Sequence, residues 1–349
     1  MVCGMSQGVM SQKLLDAGDA APRFVESIPM GRDQDLIHLN REQFLLFHQR
    51  GLDALLVPPR CFAEVEDSVG SIRAAAFRQV SPFAPAERDL DGRDQHYWHL
   101  LVCDHSSGRL LGAQRLSFSR WQQPNWGSDH SYLEHCYPGL QHSMESHGLT
   151  YLEVGRVFVS PQYRDDFRIL PTLMRASGLL ALDTAHRFIL GLMSYRFVAP
   201  EQRADWAFLQ QINQPPFSID LPIPPARHPL PIPEGTQAVV VEPGRCRDLD
   251  ALSRLVADQV DGEFTLPGLI RIYSRFSQAR VAGLSVARDF NQIVEVLMCN
   301  DSQDQSSGSK HPGLSIPHQR PWLAEQPLPF LNPLDDSREA LGNRGLSAF

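Results

Sequence analysis

Apolar and polar positions alternate most clearly in the middle of the chain. Glu64–Phe77 places Val65, Val69, Ile72, Ala76 and Phe77 at helical spacing, which predicts an amphipathic helix. Tyr97–Cys103 (YWHLLVC) and Arg109–Phe118 (RLLGAQRLSF) predict two strands. The turn-forming Asp104–Gly108 (DHSSG) between them makes a β-hairpin. Tyr151–Val159 (YLEVGRVFV) predicts a third strand. The segment SPQYRDD turns it into a long helix over Ile169–His186, and Phe188–Leu192 (FILGL) follows as a buried strand. Further strands are expected over Gln237–Glu242 and Ile293–Met298, with a helix between them over Leu266–Phe276.

Other stretches carry weaker signals. Residues 1–55 show no strand pattern beyond a short helix-like spacing at Leu36, Leu39, Phe44 and Phe47, and are expected to be a partly disordered extension. Residues 119–150, with Trp121 and Trp126, predict a long irregular connection. Residues 214–235 are Pro-rich and must run as an extended connection. The tail from residue 300 is rich in Ser, Gln, Gly and Pro, a composition that favours disorder. The domain is therefore expected over residues 56–299, as an α/β fold with a mixed sheet and helices packed on it.

Composition narrows the function classes. Of 349 residues, 42% are apolar and 21% charged, as in a soluble globular protein. The net charge of −8 argues against a general nucleic-acid binder. The six cysteines are scattered without a C-x-x-C pair, so neither a disulfide framework nor a paired-cysteine zinc site is expected. His96, His99, His130, His135, His142 and His147 fit no compact ligand motif, and no metal is implied. Without a secretory leader or an apolar run of membrane-spanning length, the expected location is cytoplasmic, with peripheral membrane contact left open.

Four segments carry a resemblance to a known family. They are His99–Leu116, with Asp104, Gly108, Gly112 and Arg115; Leu152–Arg164 (LEVGRVFVSPQYR); the helix after Arg164; and Leu266–Asn291, ending in Asp289, Phe290 and Asn291. Together they resemble the GNAT-fold N-acyltransferases of the ornithine lipid synthesis (hemolysin-like) type, which are related to the acyl-homoserine-lactone autoinducer synthases. The resemblance implies a GNAT fold with a mostly antiparallel sheet. It also implies transfer of a fatty acyl group from an acyl carrier protein or acyl-CoA thioester to an amino-acid amine such as ornithine. The carrier protein becomes the expected partner, and no bound cofactor is implied. After Val159 the chain reads SPQYRDDFR and lacks the glycine-rich phosphate loop of many acetyltransferases, which favours a carrier-borne phosphopantetheine arm over free coenzyme A. Autoinducer-type synthesis and a non-catalytic acyl- or carrier-binding role are the alternatives.

Thioester aminolysis needs a proton acceptor for the amine, a stabilised carbonyl oxygen and a held thioester. Glu153 is the candidate base, with a structural pairing to Arg115 or Arg156 as the competing reading. Arg156 is placed with it in the catalytic group. A bulge at Gly155 would bring Glu153 and Arg156 onto one face of their strand. Arg115 is the candidate substrate-binding fork, and the backbone of Val157, Phe158 and Val159 the candidate oxyanion donors, with Ser194 also lining the substrate site. Arg164 and Arg168 flank the start of the long helix and are candidates for the donor phosphate.

Overall fold

The computed structural model describes residues 36, 39–79, 87–121, 130–240, 246, 248–268, 270–271, 279–288 and 292–303. The start and the tail of the chain, Trp126, most of the expected helix at 266–276 and the Asp289–Asn291 element lie outside the described residues.

One eight-stranded sheet organises the chain, in the order β1-β2-β3-β4-β5-β6-β8-β7. Its strands are β1 Leu45–Gln49, β2 Leu52–Val57, β3 Trp98–Asp104, β4 Leu110–Phe118, β5 Tyr151–Val159, β6 Phe188–Ser194, β7 Arg280–Ala287 and β8 Ile293–Asp301. Every neighbouring pair is antiparallel except β5 and β6. The helices, in chain order, are α1 Arg41–Phe44, α2 Glu66–Arg78, α3 Tyr132–Cys136, α4 Leu140–Ser146, α5 Ile169–Asp183, α6 Arg203–Ile212 and α7 Leu249–Gln259. The mixed, mostly antiparallel sheet flanked by helices is the architecture expected from the sequence.

Strand alternation sorts the core between two faces. On one face Leu100, Leu116 and Leu152 meet Ile169, Leu173, Ala176 and Leu180 of α5, while Val294, Val296 and Met298 meet α6 and α7. On the other, Leu101, Ala113 and Phe158 pack under Val69, Ile72 and Ala76 of α2, and Tyr151, Leu190 and Leu297 pack under α3 and α4. The Pro-rich connection is extended, as its composition requires. It adds Ile219, Leu221 and Ile223 to the second face and bonds to the outer strand β7 through Ile219 N–H to Val281 O. Shielding an edge strand in this way limits edge-to-edge pairing.

Four expectations are corrected. The boundary drawn at residues 55/56 falls inside β2, so the last part of the expected extension belongs to the sheet. LLFHQ-RG-LDALLV is a hairpin whose turn places Arg50 and Gly51 at positive φ. Of the strand expected over Gln237–Glu242, residues 237–240 are not a strand and the last two lie outside the described residues; further on, Asp248 caps α7 by accepting from Ala251 N–H at 2.7 Å. The connection 119–150 contains two short helices. α6, α7 and β7 were not expected from the sequence.

The feature that positions the site is a fork. β5 and β6 pair in parallel from Tyr151↔Phe188 to Val154↔Gly191, and no pairing between them follows among the described residues. Yet β5 runs on to Val159 against β4, and β6 runs on to Ser194 against β8. A Cβ on Gly191, the last paired position, would sit 2.9 Å from Val154 O, so the strands pack closely there before they part. Side chains become half-exposed along β5 from Val154 to Val157, and Ser194 at the far end of β6 is exposed.

Gly112 packs β4 against α5: a Cβ there would meet Ile169 Cγ2 and Phe158 O, each at 2.8 Å. Since a backbone oxygen cannot rotate away, Gly112→Ala is expected to cost about 1–3 kcal/mol. An unchanged urea midpoint would contradict this.

Candidate active site

The face carrying α2 and α3 holds a closed ring of six alternating charges. Arg73 on α2 donates to both oxygens of Asp94, at 3.0 and 2.6 Å. Asp94 also accepts from Arg115 on β4 at 3.1 Å, and Arg115 donates to Asp91 at 2.9 Å. Asp91 lies 3.5 Å from Arg156 on β5. Arg156 reaches Asp89 at 3.3 Å, and Asp89 lies 3.3 Å from Arg73 Nε, which closes the ring. Three guanidinium groups thus face three carboxylates, each charge flanked by two of opposite sign.

Local structure explains the aspartates. Asp91 caps the 3₁₀ turn Gly92–His96 by accepting from Arg93 N–H, and Asp94 accepts back from Asp91 N–H at 2.9 Å. This reciprocal cap is a capping box, and it aims both carboxylates the same way. Burial works against ionisation of Asp94 and Asp91. The guanidiniums of Arg73 and Arg115 at Asp94, and of Arg115 and then Arg156 at Asp91, outweigh it and hold both carboxyls below the usual range. Arg115 is also stacked over the Tyr97 ring, 4.5 Å from its centroid. Burial pushes the adjacent His99 down to about 4, so the imidazole beneath the ring is neutral.

The ring is sealed on one side and open on the other. Arg73, Asp94, Arg115 and Asp89 have side chains no more than 6% exposed, whereas Asp91 and Arg156 are 26% and 28% exposed. Arg156 has φ +51°, a left-handed conformation that costs a non-glycine residue. It opens a β-bulge in which Arg156 and Val157 together oppose Gln114. The bulge is centred there and not on Gly155. It brings Arg156 onto the same face as Glu153, where its guanidinium lies 6.0 Å from the Phe77 ring of α2.

Glu153 occupies the adjacent position on β5 and is buried. Its carboxylate accepts from Tyr97 O–H at 2.6 Å, Ser131 O–H at 2.7 Å and Leu133 N–H at 3.1 Å. Tyr97 Oη accepts in turn from Tyr132 N–H, and Ser131 Oγ from Glu134 N–H. The first turn of α3 is thereby anchored to β5, which answers the orphan donors of a helix start. Burial raises the Glu153 carboxyl, the three hydrogen bonds and Arg115 pulling the other way. On the far side of the fork, buried Glu295 of β8 accepts from Tyr132 O–H at 2.9 Å. Hence α3 spans the fork, held by one carboxylate on β5 and another on β8.

The remaining expected residues divide. Arg115 is buried and committed to Asp91 and Asp94, so its side chain is part of the scaffold and not of an open binding surface. Phe158 is in the α2 core and Val157 and Val159 pack toward α5, leaving their backbone as the part that can meet a ligand. Ser194 stands at the mouth of the fork. Arg164 donates to Ala76 O at the end of α2, and Arg168 is paired with Asp166 at 2.6 and 2.8 Å. The structure does not bring these two together as a free pair for phosphate. Arg73, Asp89, Asp91, Asp94, Tyr97, Ser131 and Glu295 were not singled out from sequence. The D-G-R-D spacing of a capping box was the one signal that could have found two of them.

Two carboxyls held below their unfolded value stabilise the fold above about pH 4, and this stabilisation is lost as pH falls through their folded values. Asp94→Asn leaves Arg73 and Arg115 without their shared counter-charge. It is expected to cost about 3–5 kcal/mol at neutral pH and to flatten the acid limb of stability. Urea unfolding between about pH 7 and pH 3 measures both effects; an acid limb as steep as that of the unaltered chain would contradict the assignment.

Comparison with known proteins follows this geometry. Residues 72–173 match the acetyltransferase (GNAT) domain, a span that contains all six ring members and Glu153. No curated protein sequence matches the chain. Among solved structures, TofI, in a ternary complex with an inhibitor and MTA, is 12% identical, with 71% of this chain and 91% of that one covered and a TM-score of 0.36. BjaI, a CoA-dependent acyl-homoserine lactone synthase, is 19% identical over 40% of this chain and 65% of its own, at a TM-score of 0.29. FeeM, an N-acyl amino acid synthase from uncultured soil microbes, is 10% identical over 45% and 77%, at 0.30. Among the described residues no helix is long and apolar enough to cross a membrane. The matched span and the mixed, mostly antiparallel sheet show that the chain contains an acetyltransferase (GNAT) domain.

Proposed function

We propose that the chain is an acyltransferase that moves a fatty acyl group from a thioester, carried by acyl carrier protein or coenzyme A, to the amine of an amino acid such as ornithine. The fork between β5 and β6 is the observation that supports this most. A pantetheine arm is a slender chain with two amides, and a sheet that splits offers it unpaired backbone edges to bond as a surrogate strand. An arm lying there brings its thioester beside Val157–Val159 and Ser194. Backbone N–H groups of β5 then serve the carbonyl oxygen as charge develops on it.

The acceptor enters from the open edge of the charge ring. Arg156 contacts its aspartates at 3.3–3.5 Å, long enough for one contact to be exchanged for a substrate carboxylate without dismantling the buried members. The neutral amine attacks the thioester carbon, the C–N bond forms, the C–S bond breaks, and the sulfur leaves as thiolate, which becomes the free thiol by taking up the proton that the nitrogen gives to Glu153. The nitrogen loses one proton, which Glu153 accepts through the lone pair of Oε2 not used by Ser131, directly or across one water. Its raised pKa makes it a stronger base than an ordinary carboxylate. Holding amine and thioester together supplies about 7–11 kcal/mol of the barrier, so no acyl-enzyme is needed.

Incubating the purified chain with a long-chain acyl carrier protein and ornithine should release one free thiol per N-acyl product, detected by thiol titration and mass spectrometry. S-adenosylmethionine in place of ornithine tests autoinducer-type synthesis. Carrier binding with no thiol release from any amine would leave a binding protein only. Glu153→Gln, isosteric and still able to accept from Tyr97, should lower turnover by about 10²-fold or more with folding retained. In the unaltered chain the acid limb of kcat/KM should lie above about pH 4.3, the ordinary glutamate value, since the base form appears only as pH rises through a raised pKa. Undiminished turnover in Glu153→Gln removes it from the chemistry. Arg156→Ala should raise KM for a carboxylate-bearing acceptor by about tenfold or more and leave that for a simple alkylamine unchanged. Equal effects on both acceptors would count against a carboxylate contact.

A further inference from the structure

We propose that His48, Asp53 and His105 form a binding site for a divalent transition-metal ion of the zinc class. The three residues lie in different elements. His48 is on β1, Asp53 is its direct partner across the hairpin on β2, and His105 is in the turn between β3 and β4. That turn is tied to the hairpin by His105 N–H donating to Gly51 O at 2.9 Å.

Both imidazoles present Nδ1 to one oxygen of one carboxylate. His48 Nδ1 is 2.8 Å and His105 Nδ1 2.9 Å from Asp53 Oδ1, and the three ligand atoms lie within 4.8 Å of one another. The rings meet at 4.2 Å between centroids, inclined by 60°. Asp53 is buried, while the imidazoles are 44% and 60% exposed. The carboxylate is thus a fixed base with two movable arms above it, and any further coordination position faces solvent.

Without an ion, both rings donate from Nδ1 to the same carboxylate, His105 reaching its second oxygen as well at 3.1 Å. With those protons on Nε2 instead, both Nδ1 lone pairs face the Asp53 carboxylate, and the three ligand atoms are within 4.8 Å of one another. Zinc bonds of about 2.0–2.1 Å in tetrahedral geometry set ligand atoms roughly 3.3 Å apart, so each ring has to withdraw from the carboxylate oxygen by about 0.5 Å. Arg41 fills the role of an outer partner. It donates to the other Asp53 oxygen at 3.2 Å and to His105 O at 3.0 Å, orienting carboxylate and turn together. A set of two imidazoles and one carboxylate suits Zn²⁺, Ni²⁺ or Cu²⁺ over Mg²⁺ or Ca²⁺. Such an ion would clip the outer hairpin to the β3–β4 turn, with β3 and β4 lying between the hairpin and β5.

Zinc titration of the purified full chain against a chromophoric chelator tests this, with the retained metal counted by mass spectrometry after dialysis. One zinc per chain is expected, with a melting temperature that rises with zinc. His48→Gln and His105→Gln keep an N–H able to donate to Asp53 but remove the imidazole. Each should weaken zinc binding roughly tenfold or more and abolish the thermal shift. No zinc retained, or zinc retained equally by both variants and therefore held elsewhere, overturns the proposal.

Discussion

Buried charges are tolerable only when each is surrounded by its opposite, and the ring through Arg73, Asp94, Arg115, Asp91, Arg156 and Asp89 meets that condition by closing on itself. An open chain of the same residues would leave a terminal charge facing the core with one partner. Closure also joins elements far apart in sequence: α2 through Arg73, the turn after residue 88 through three aspartates, β4 through Arg115 and β5 through Arg156. Three positive charges against three negative leave Glu153 as an unmatched acid beside them. Its carboxyl is raised where those of Asp91 and Asp94 are lowered, although all three are largely buried. The contrast follows from what each touches: guanidiniums for the aspartates, neutral donors for the glutamate.

Ring and fork are two consequences of one distortion in β5. Up to Val154 the strand is shared between β4 and β6. At Arg156 the left-handed residue inserts the bulge, the register against β4 shifts, and the remaining residues stay with β4 alone. A guanidinium held by two aspartates can fix a backbone conformation that an unsupported arginine would leave. The electrostatics therefore act on the backbone and, through it, on where the sheet divides. On the other side, α3 bridges the gap between Glu153 and Glu295, so the fork keeps its width without direct bonds between the strands.

Much of this was legible in the sequence where a single period governed a long run. YLEVGRVFV announces a strand, and two charged residues inside an apolar strand announce chemistry or pairing. Glu153, Arg156 and Arg115 stand out in this way, but it is the family resemblance that chiefly marks Glu153 for catalysis. Their partners do not stand out, because Asp89, Asp91 and Asp94 sit in a short polar turn that looks like any solvated loop. What distinguishes those aspartates is burial, which depends on α2 folding over them from twenty residues away. Arg164 and Arg168 show the reverse error: a suggestive pair before a helix is already committed to Ala76 O and Asp166. His48, Asp53 and His105 share no motif at all, since a hairpin and a second turn bring them together. Gln237–Val240 failed as a strand because composition alone cannot supply a sheet edge to pair with.

Ion pairs in a protein interior are a poor source of stability, because apolar groups of similar volume often do as well or better. The ring is better understood through its two exposed members. Arg156 and Asp91 reach solvent with their side chains fixed from behind by four charges that do not. A surface arginine would lose rotamer freedom on meeting a ligand, whereas this one has lost it on folding. It also stands where the sheet divides, so whatever it binds is held next to the backbone of Val157–Val159. Catalysis between two bound partners depends on that fixed relation more than on the strength of either contact. Orienting Arg156 is the return for burying Arg73, Asp94, Arg115 and Asp89.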